Sequence, residues 1–260
     1  MQPHNDCLKI EIWLTLGRAE RPGIQPSMIQ LTQTAVLTEP GDIPRLSDEF
    51  AQTGCALLPG FLAPGILQHL LDWIEGSQFV LKDEVSRGEV FGTTLFVPPT
   101  DRSWFLLHFL LNRPALFKFA EQVASCAGIA NFIGRLHRTG AGTSQHIDWH
   151  DDAVDNRTLG ICINLGREQY AGGTLQIRDP DRAIRAEIGR GAPGDAFLFR
   201  IDHGWEHRLT PVKSGRRTVG VGWFRTQPDW RAYAMTSART RQILTGDNAQ
   251  TQGAIEEYIS

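Results

Sequence analysis

HRLTPVKSGRRTVGVGW, the stretch His207–Trp223, contains the pattern that decides the fold class. Apolar and polar residues alternate in two short runs, which Gly215 separates. A period of two is typical of a β-strand that buries one face. The same pattern recurs from Gly128 onward, between turns rich in glycine and proline. It predicts strands over residues 131–138, 157–165, 173–178, 184–188, 195–201, 206–212 and 217–224.

The first half of the chain favours helices. Apolar residues at helical spacing predict helices over residues 45–53, 64–74 and 103–127, the last interrupted by a proline. Strands are predicted over residues 55–61 and, as a pair, within residues 79–97. Helices followed by many short strands predict an α+β, mainly β protein. We expect a double-stranded β-helix (jelly roll) with helices packed on one sheet.

The chain divides into three predicted segments. Residues 1–42 form an N-terminal extension that is partly irregular, with one strand predicted over residues 8–16. Residues 43–226 form the main domain, whose core is residues 130–226. Residues 227–260 form a polar and partly helical C-terminal segment.

The overall composition narrows the classes of protein. Hydrophobic residues make up 41% and charged residues 21% of the 260 residues, as in globular proteins. The net charge of −3 argues against a nucleic-acid partner, because such partners bind basic surfaces. No apolar run is long enough for a membrane span, and the N-terminus does not resemble a secretory signal. With four scattered cysteines, the sequence predicts a cytoplasmic protein; its oligomeric state stays open.

The densest cluster of polar residues is QHIDWHDD, residues 145–152. Residues two apart in an extended segment face the same side, so His150 and Asp152 can bind one ion together. With His207 they would complete a triad of two histidines and one carboxylate, which leaves one face of a metal open. His146 and Asp148 have the same spacing and are an alternative first arm. His203 is an alternative to His207.

Several motifs occur in a fixed order around this cluster. An HxD pair is followed by a strand led by an arginine, a GG-x-L turn, a PGD strand and a final H-R-x-x-P-V block that ends in tryptophan. Their positions are His150 to Asp152, Arg157, Gly172 to Leu175, Pro193 to Asp195, and His207 to Trp223. In this order the sequence resembles the prolyl 4-hydroxylase-like branch of the 2-oxoglutarate/iron(II) oxygenases. The resemblance covers about residues 130–226.

The resemblance implies a site and two cofactors. His150, Asp152 and His207 would bind iron(II), and 2-oxoglutarate would chelate the metal. Arg217 would bind the far carboxylate of 2-oxoglutarate, because an arginine fork can donate two parallel hydrogen bonds. If the strand were shifted in register by one residue, Arg216 would face the barrel interior in place of Arg217 and would bind this carboxylate. Asn164 would either hydrogen-bond the co-substrate or serve the structure, and ascorbate is a further candidate reductant.

The same resemblance implies a dioxygenase that hydroxylates a C–H bond and releases succinate and CO2. Its substrate would be a small molecule or a protein side chain, since the family uses both. A carboxylate at Asp152 favours hydroxylation over halogenation, for which relatives replace that residue by a small one. The alternative is a cupin-like metal-binding module without redox turnover. Arg217 distinguishes the two, because such a module would not need a buried cation.

Overall fold

The structure is a computed structural model that describes residues 29–228 except residues 87 and 155. The strand predicted over residues 8–16 and the partly helical segment beyond residue 228 lie outside the described residues. The proposed boundaries at residues 42 and 226 therefore stay predictions. None of the helices in the described part is long and apolar enough to cross a membrane.

The described residues contain four helices and fifteen strands. In chain order these are β1 (Gln30–Leu31), β2 (Val36–Leu37), α1 (Asp42–Thr53), β3 (Cys55–Leu58), α2 (Pro64–Glu75), β4 (Val80–Ser86), β5 (Glu89–Phe96), α3 (Arg102–Leu111), α4 (Pro114–Ala124), β6 (Asn131–Gly140), β7 (His146–His150), β8 (Arg157–Asn164), β9 (Ala171–Gly172), β10 (Leu175–Arg178), β11 (Ile184–Ile188), β12 (Ala196–Arg200), β13 (Glu206–Leu209), β14 (Val212–Ser214) and β15 (Arg216–Arg225).

The helices begin and end where local chemistry directs them. Proline occupies the first turn of α2 and of α4, where its missing N–H removes no helical hydrogen bond. Pro114 therefore splits the long predicted helix into α3 and α4. Asp101 caps α3 by accepting a hydrogen bond of 2.8 Å from the backbone N–H of Ser103. Gly54 ends α1 in the left-handed conformation.

The sheet winds into a nearly closed antiparallel barrel. The strands follow the order β11-β10-β13-β7-β5-β6-β15-β8-β12-β3, and β4 pairs with β5. This architecture is the predicted double-stranded β-helix. The strand predicted over residues 206–212 is in fact two strands, because Pro211 has no N–H to donate. After this break β13 pairs with β7 and β10, whereas β14 pairs with β9 in a separate small sheet.

Two apolar clusters lie on opposite faces of the central strands. On β8, Leu159, Ile161 and Ile163 pack with the helices in the larger cluster, and Cys162 faces the barrel interior with Phe199 in the smaller one. The predicted alternation along this strand is thus confirmed. Gly160 permits that interior packing, because a Cβ there would lie 2.0 Å from the Phe199 ring. The helices therefore cover the outer face of the sheet, and the barrel interior is left for a site.

Candidate metal centre

Two neighbouring strands bring the histidines and the aspartate together. His150 at the end of β7 pairs directly with His207 on β13. The Nε2 atoms of His150 and His207 lie 3.6 and 3.2 Å from Oδ2 of Asp152. All three ligand atoms lie within 4.8 Å of one another, which is the spacing of ligands around one ion. The metal triad predicted from the sequence is therefore assembled in space.

A β-bulge in β7 separates His150 from the competing first arm. Leu209 and His207, two residues apart, pair with Ile147 and His150, which are three residues apart. The extra residue turns His150 to the same side of the sheet as Ile147. His146 and Asp148 point outward instead, with side chains 47% and 76% exposed. His203 is also outside, with 79% of its side chain exposed.

Asp152 is held at both carboxylate oxygens. The indole Nε1–H of Trp223 donates to Oδ2 at 2.7 Å, and the Arg157 guanidinium donates to Oδ1 at 3.1 Å. The backbone of Asp152 has a positive φ of 54°, which ends the extended segment and directs the carboxylate back to the histidines. Burial would raise the pKa of this carboxyl, but hydrogen bonds with His150 and His207 outweigh it and hold the pKa well below its usual range.

The orientation of each imidazole is fixed by its neighbours. Nδ1 of His150 lies 2.7 Å from the carbonyl oxygen of Asp148, which can only accept a hydrogen bond. Nδ1 therefore carries the proton, and Nε2 keeps a free lone pair toward the centre. The Phe91 ring stacks on His150 at 4.1 Å between centroids, and the Phe199 ring meets His207 edge-on at 4.9 Å. Such an arrangement suits a metal ligand.

Arg217 is a buried cation in the same cavity as the triad. It faces the barrel interior from β15 and is 8% exposed, with Nη2 at 3.6 Å from Sγ of Cys162. Within residues 29–228, as far as they are described, it forms no ion pair with a carboxylate. Its cross-strand neighbour Thr139 has a buried hydroxyl without a hydrogen-bond partner. Arg216 faces outward and pairs with Glu168 at the surface.

Asn164 does not join this site. Its Nδ2 donates to the carbonyl of Gly191 at 2.6 Å, and its Oδ1 accepts from the N–H of Gly166 at 3.2 Å. The side chain thus fixes two loop segments and is absent from the walls of the cavity. Of the two roles considered for Asn164, the structural one matches this geometry, and the contact with a co-substrate is not supported. Tyr170 lies close enough to Arg217 for the guanidinium to oppose the rise that burial causes in the pKa of its hydroxyl.

One cavity of about 390 Å³ connects these groups. Its volume is in the range of small-molecule sites, roughly 300–1,000 Å³. No role was predicted from the sequence for the polar cavity residues Glu84 and Arg135. In the sequence they look like ordinary strand residues, because neither belongs to a motif. The cavity is lined by Glu84, Val85, Phe91, Arg135, His137, Ile147, His150, Asp152, Val154, Arg157, Cys162, Leu175, Phe197, Phe199, His207, Leu209, Arg217, Val219, Val221 and Trp223.

Known proteins share this fold and part of this sequence. Residues 134–225 match the model of the 2OG-Fe(II) oxygenase superfamily. An oxidoreductase of the 2OG-Fe(II) oxygenase family from Burkholderia pseudomallei superposes with a TM-score of 0.55 at 14% identity, covering 75% of this chain and 96% of its own. A prolyl-4-hydroxylase from Pseudomonas putida gives 0.51 at 16% identity, covering 72% and 100%. At such identities the superpositions establish the fold. No curated protein matches the chain in sequence.

The barrel, the buried triad and the arginine in the same cavity are the features expected of an iron(II)- and 2-oxoglutarate-dependent oxygenase. The match over residues 134–225 makes this part of the chain similar to the 2OG-Fe(II) oxygenase superfamily. Iron(II) and 2-oxoglutarate are thus the metal and co-substrate that this similarity implies. The triad and Arg217 favour this class over a cupin-like metal-binding module, and the donor set of two imidazoles and one carboxylate fits iron(II).

Proposed function

We propose that the chain hydroxylates a C–H bond of a small molecule, with His150, Asp152 and His207 as the iron ligands. The observation that carries this proposal is the placement of Arg217, a buried cation without a carboxylate partner among the described residues, in the same cavity as the triad. A cation there matches the far carboxylate of 2-oxoglutarate. When bound, iron(II) and the co-substrate supply the oxidation of the substrate by O2, with release of succinate and CO2.

The protein's own residues hold and orient these groups. Arg217 would donate paired hydrogen bonds to the far carboxylate, assisted by the hydroxyls of Thr139 and Tyr170. Trp223 and Arg157 would hold Asp152 in one orientation, so that the open positions of the metal face the cavity. Apolar walls exclude water from the reacting centre. Retention of the Asp152 carboxylate supports hydroxylation rather than halogenation.

The substrate class rests on the size and burial of the cavity. Among solved structures of similar fold, one is a prolyl hydroxylase from Trichoplax adhaerens in complex with a peptide fragment, with a TM-score of 0.50 at 15% identity. Another is the epimerase SnoN with nogalamycin RO, with a TM-score of 0.50 at 13% identity. Both peptides and small molecules are thus bound by this fold. The modest cavity favours a small molecule here. The free thiols of Cys55, Cys126 and Cys162 suit a reducing, cytoplasmic location.

The experiment compares paired histidine variants. Purified protein with iron(II), ascorbate and 2-oxoglutarate is assayed for succinate and CO2, and iron content is measured in parallel. We expect His150→Ala and His207→Ala to lose iron and turnover. His146→Ala and His203→Ala, which alter exposed histidines nearby, are matched controls and should retain both. Full iron loading and turnover in His150→Ala would refute the ligand assignment, and the absence of any 2-oxoglutarate turnover by the wild type would refute the function.

A further inference from the structure

An ion pair that is not part of the metal triad is buried in the cavity wall. Glu84 on β4 is 6% exposed and accepts hydrogen bonds from Arg135 at 2.5 Å and from the Thr94 hydroxyl at 3.0 Å. His137 on β6 is also buried, and its Nε2 lies 3.4 Å from Oε1 of Glu84 without forming a hydrogen bond. Glu84, Arg135 and His137 all line the cavity. This group of three is called the polar wall below.

The stability of the fold gives no reason for buried charges at the polar wall. Most of the surrounding walls are apolar, with Val85, Phe91 and Val221 among their residues. Removing charges from water is expensive, and replacing a buried ion pair by apolar residues is often neutral or stabilising. The buried Nε2 of His137, which makes no hydrogen bond, adds a further penalty. Polar groups kept in such a place, facing an open cavity, indicate a ligand.

Arg135 lies at a different level of the barrel from Arg217. On the paired strands β6 and β15, Thr139 lies opposite Arg217, His137 opposite Val219 and Arg135 opposite Val221. Because a strand rises about 3.3 Å per residue, Arg135 stands about 13 Å along the sheet from the level of Arg217. The far carboxylate of the co-substrate would lie at the level of Arg217, whereas the metal ligand Asp152 is held by Trp223, six residues further along β15. Arg135 lies over the Trp223 ring, at 5.6 Å from its centroid, so the polar wall lines the cavity near the metal ligands, where a substrate must lie to be oxidised.

The free hydrogen-bonding capacity of the polar wall defines a ligand chemistry. A carboxylate has about four lone-pair positions, and Glu84 has two hydrogen bonds in the structure. The Arg135 guanidinium has five N–H donors, so it can bind an acceptor while it keeps Glu84. Glu84 and Arg135 carry opposite charges. A ligand with a single charge would attract one of them and repel the other. A ligand with an amine and a carboxylate satisfies both.

We propose that Glu84, Arg135 and His137 form the substrate-specificity site, which binds a small zwitterion with its ammonium group on Glu84 and its carboxylate on Arg135. His137 donates or accepts one further hydrogen bond at Nε2. The inference rests on the proposed function, since it assigns the substrate class of the same cavity. It makes these three residues determinants of binding and gives them no part in the oxidation.

The test measures binding to the holoenzyme without turnover. Protein with iron(II) and 2-oxoglutarate is kept free of O2 and titrated in a calorimeter with each of the standard free amino acids. For every amino acid that binds, the N-acetyl derivative and the methyl ester are titrated next, because each removes one charge. We expect at least one zwitterion to bind, and both of its derivatives to bind at least tenfold more weakly.

Variants then assign each charge to its partner. In Glu84→Gln, the N-acetyl derivative should bind as tightly as its parent amino acid. In Arg135→Gln, the methyl ester should bind as tightly as its parent amino acid. Asp83→Asn removes a carboxylate from the exposed face of the same strand and should leave binding unchanged. Thermal unfolding of each variant checks its fold, and a purely structural ion pair would change stability without changing this selectivity.

The outcomes separate this inference from the proposed function. If the protein fails to bind iron and 2-oxoglutarate or to turn the co-substrate over, the proposed function fails. If it does all of these and none of the amino acids binds, the zwitterion assignment alone is overturned. Derivatives that bind as well as their parent amino acid would overturn it too, even where the variants do not fold.

Discussion

The hydrogen bond from Trp223 to Asp152 leads to a quantitative prediction for Trp223→Phe. Phenylalanine keeps much of the ring that packs in the barrel but removes the Nε1–H, which lies 2.7 Å from Oδ2. A hydrogen bond to a charged group contributes about 1.5–3 kcal/mol. Since about 1.4 kcal/mol corresponds to a tenfold change in affinity, iron(II) should bind roughly 10–100-fold more weakly. That range agrees with the effect of removing partners of metal ligands in other proteins.

The assay is a competition between the protein and a chelator of known affinity for iron(II), without O2. Trp73→Phe, which alters a tryptophan on α2 away from the cavity, is the control and should bind iron like the wild type. Thermal unfolding separates a loss of metal affinity from a loss of fold. An iron affinity of Trp223→Phe within twofold of the wild type would refute the view that the indole positions Asp152.

Three further predictions concern other parts of the molecule. Arg217→Gln should weaken 2-oxoglutarate binding at least about 30-fold, since loss of a buried charge partner costs about 2 kcal/mol or more. Arg216→Gln should leave calorimetric binding unchanged, and equal losses in both would disprove the assignment. Thr139→Val should weaken the same binding by a factor of about 2–10, the effect of one neutral hydrogen bond; unchanged affinity would exclude the hydroxyl as a donor. Burial lowers the pKa of His108 from its ordinary 6.5 to about 4, so the unfolded chain binds a proton that the folded chain lacks in this interval. The free energy of unfolding should therefore fall as the pH drops from 6.5 toward 4, by up to about 3 kcal/mol from this residue. Urea unfolding of His108→Phe should show a shallower fall, and an identical pH dependence would contradict this.

Most of the fold was predictable because it depends on local patterns. Alternation marked the strands of the barrel, and proline marked the first turns of α2 and α4. The division of the predicted strand at 206–212 was missed, although Pro211 marks the break between β13 and β14. The strand β7 was missed as well. Its alternation of polar and apolar residues covers only five positions within a cluster of polar residues, and pairing with β13 and β5 stabilises it.

The sequence predicted which residues come together where one motif contains them, and it missed residues that meet only in space. The spacing of residues 207–223 placed Arg217 inside and Arg216 outside, as the structure has them. The expectation for Asn164 rested on strand position alone, which cannot show that Gly191 occupies its amide. Glu84 and Arg135 come from distant strands, so no sequence pattern could have paired them.

The bulge in β7 has a consequence for comparing this chain with its relatives. Regular pairing from Leu209 and Ile147 would place Trp149 opposite His207, but His150 takes that place because the strand holds one additional residue. A relative with a regular strand would have its histidine one position earlier. An alignment without a gap between residues 147 and 150 would then set that histidine against Trp149. The number of residues between Ile147 and the metal ligand therefore does not identify the equivalent ligand in a relative. The residue that pairs with the equivalent of His207 identifies it better.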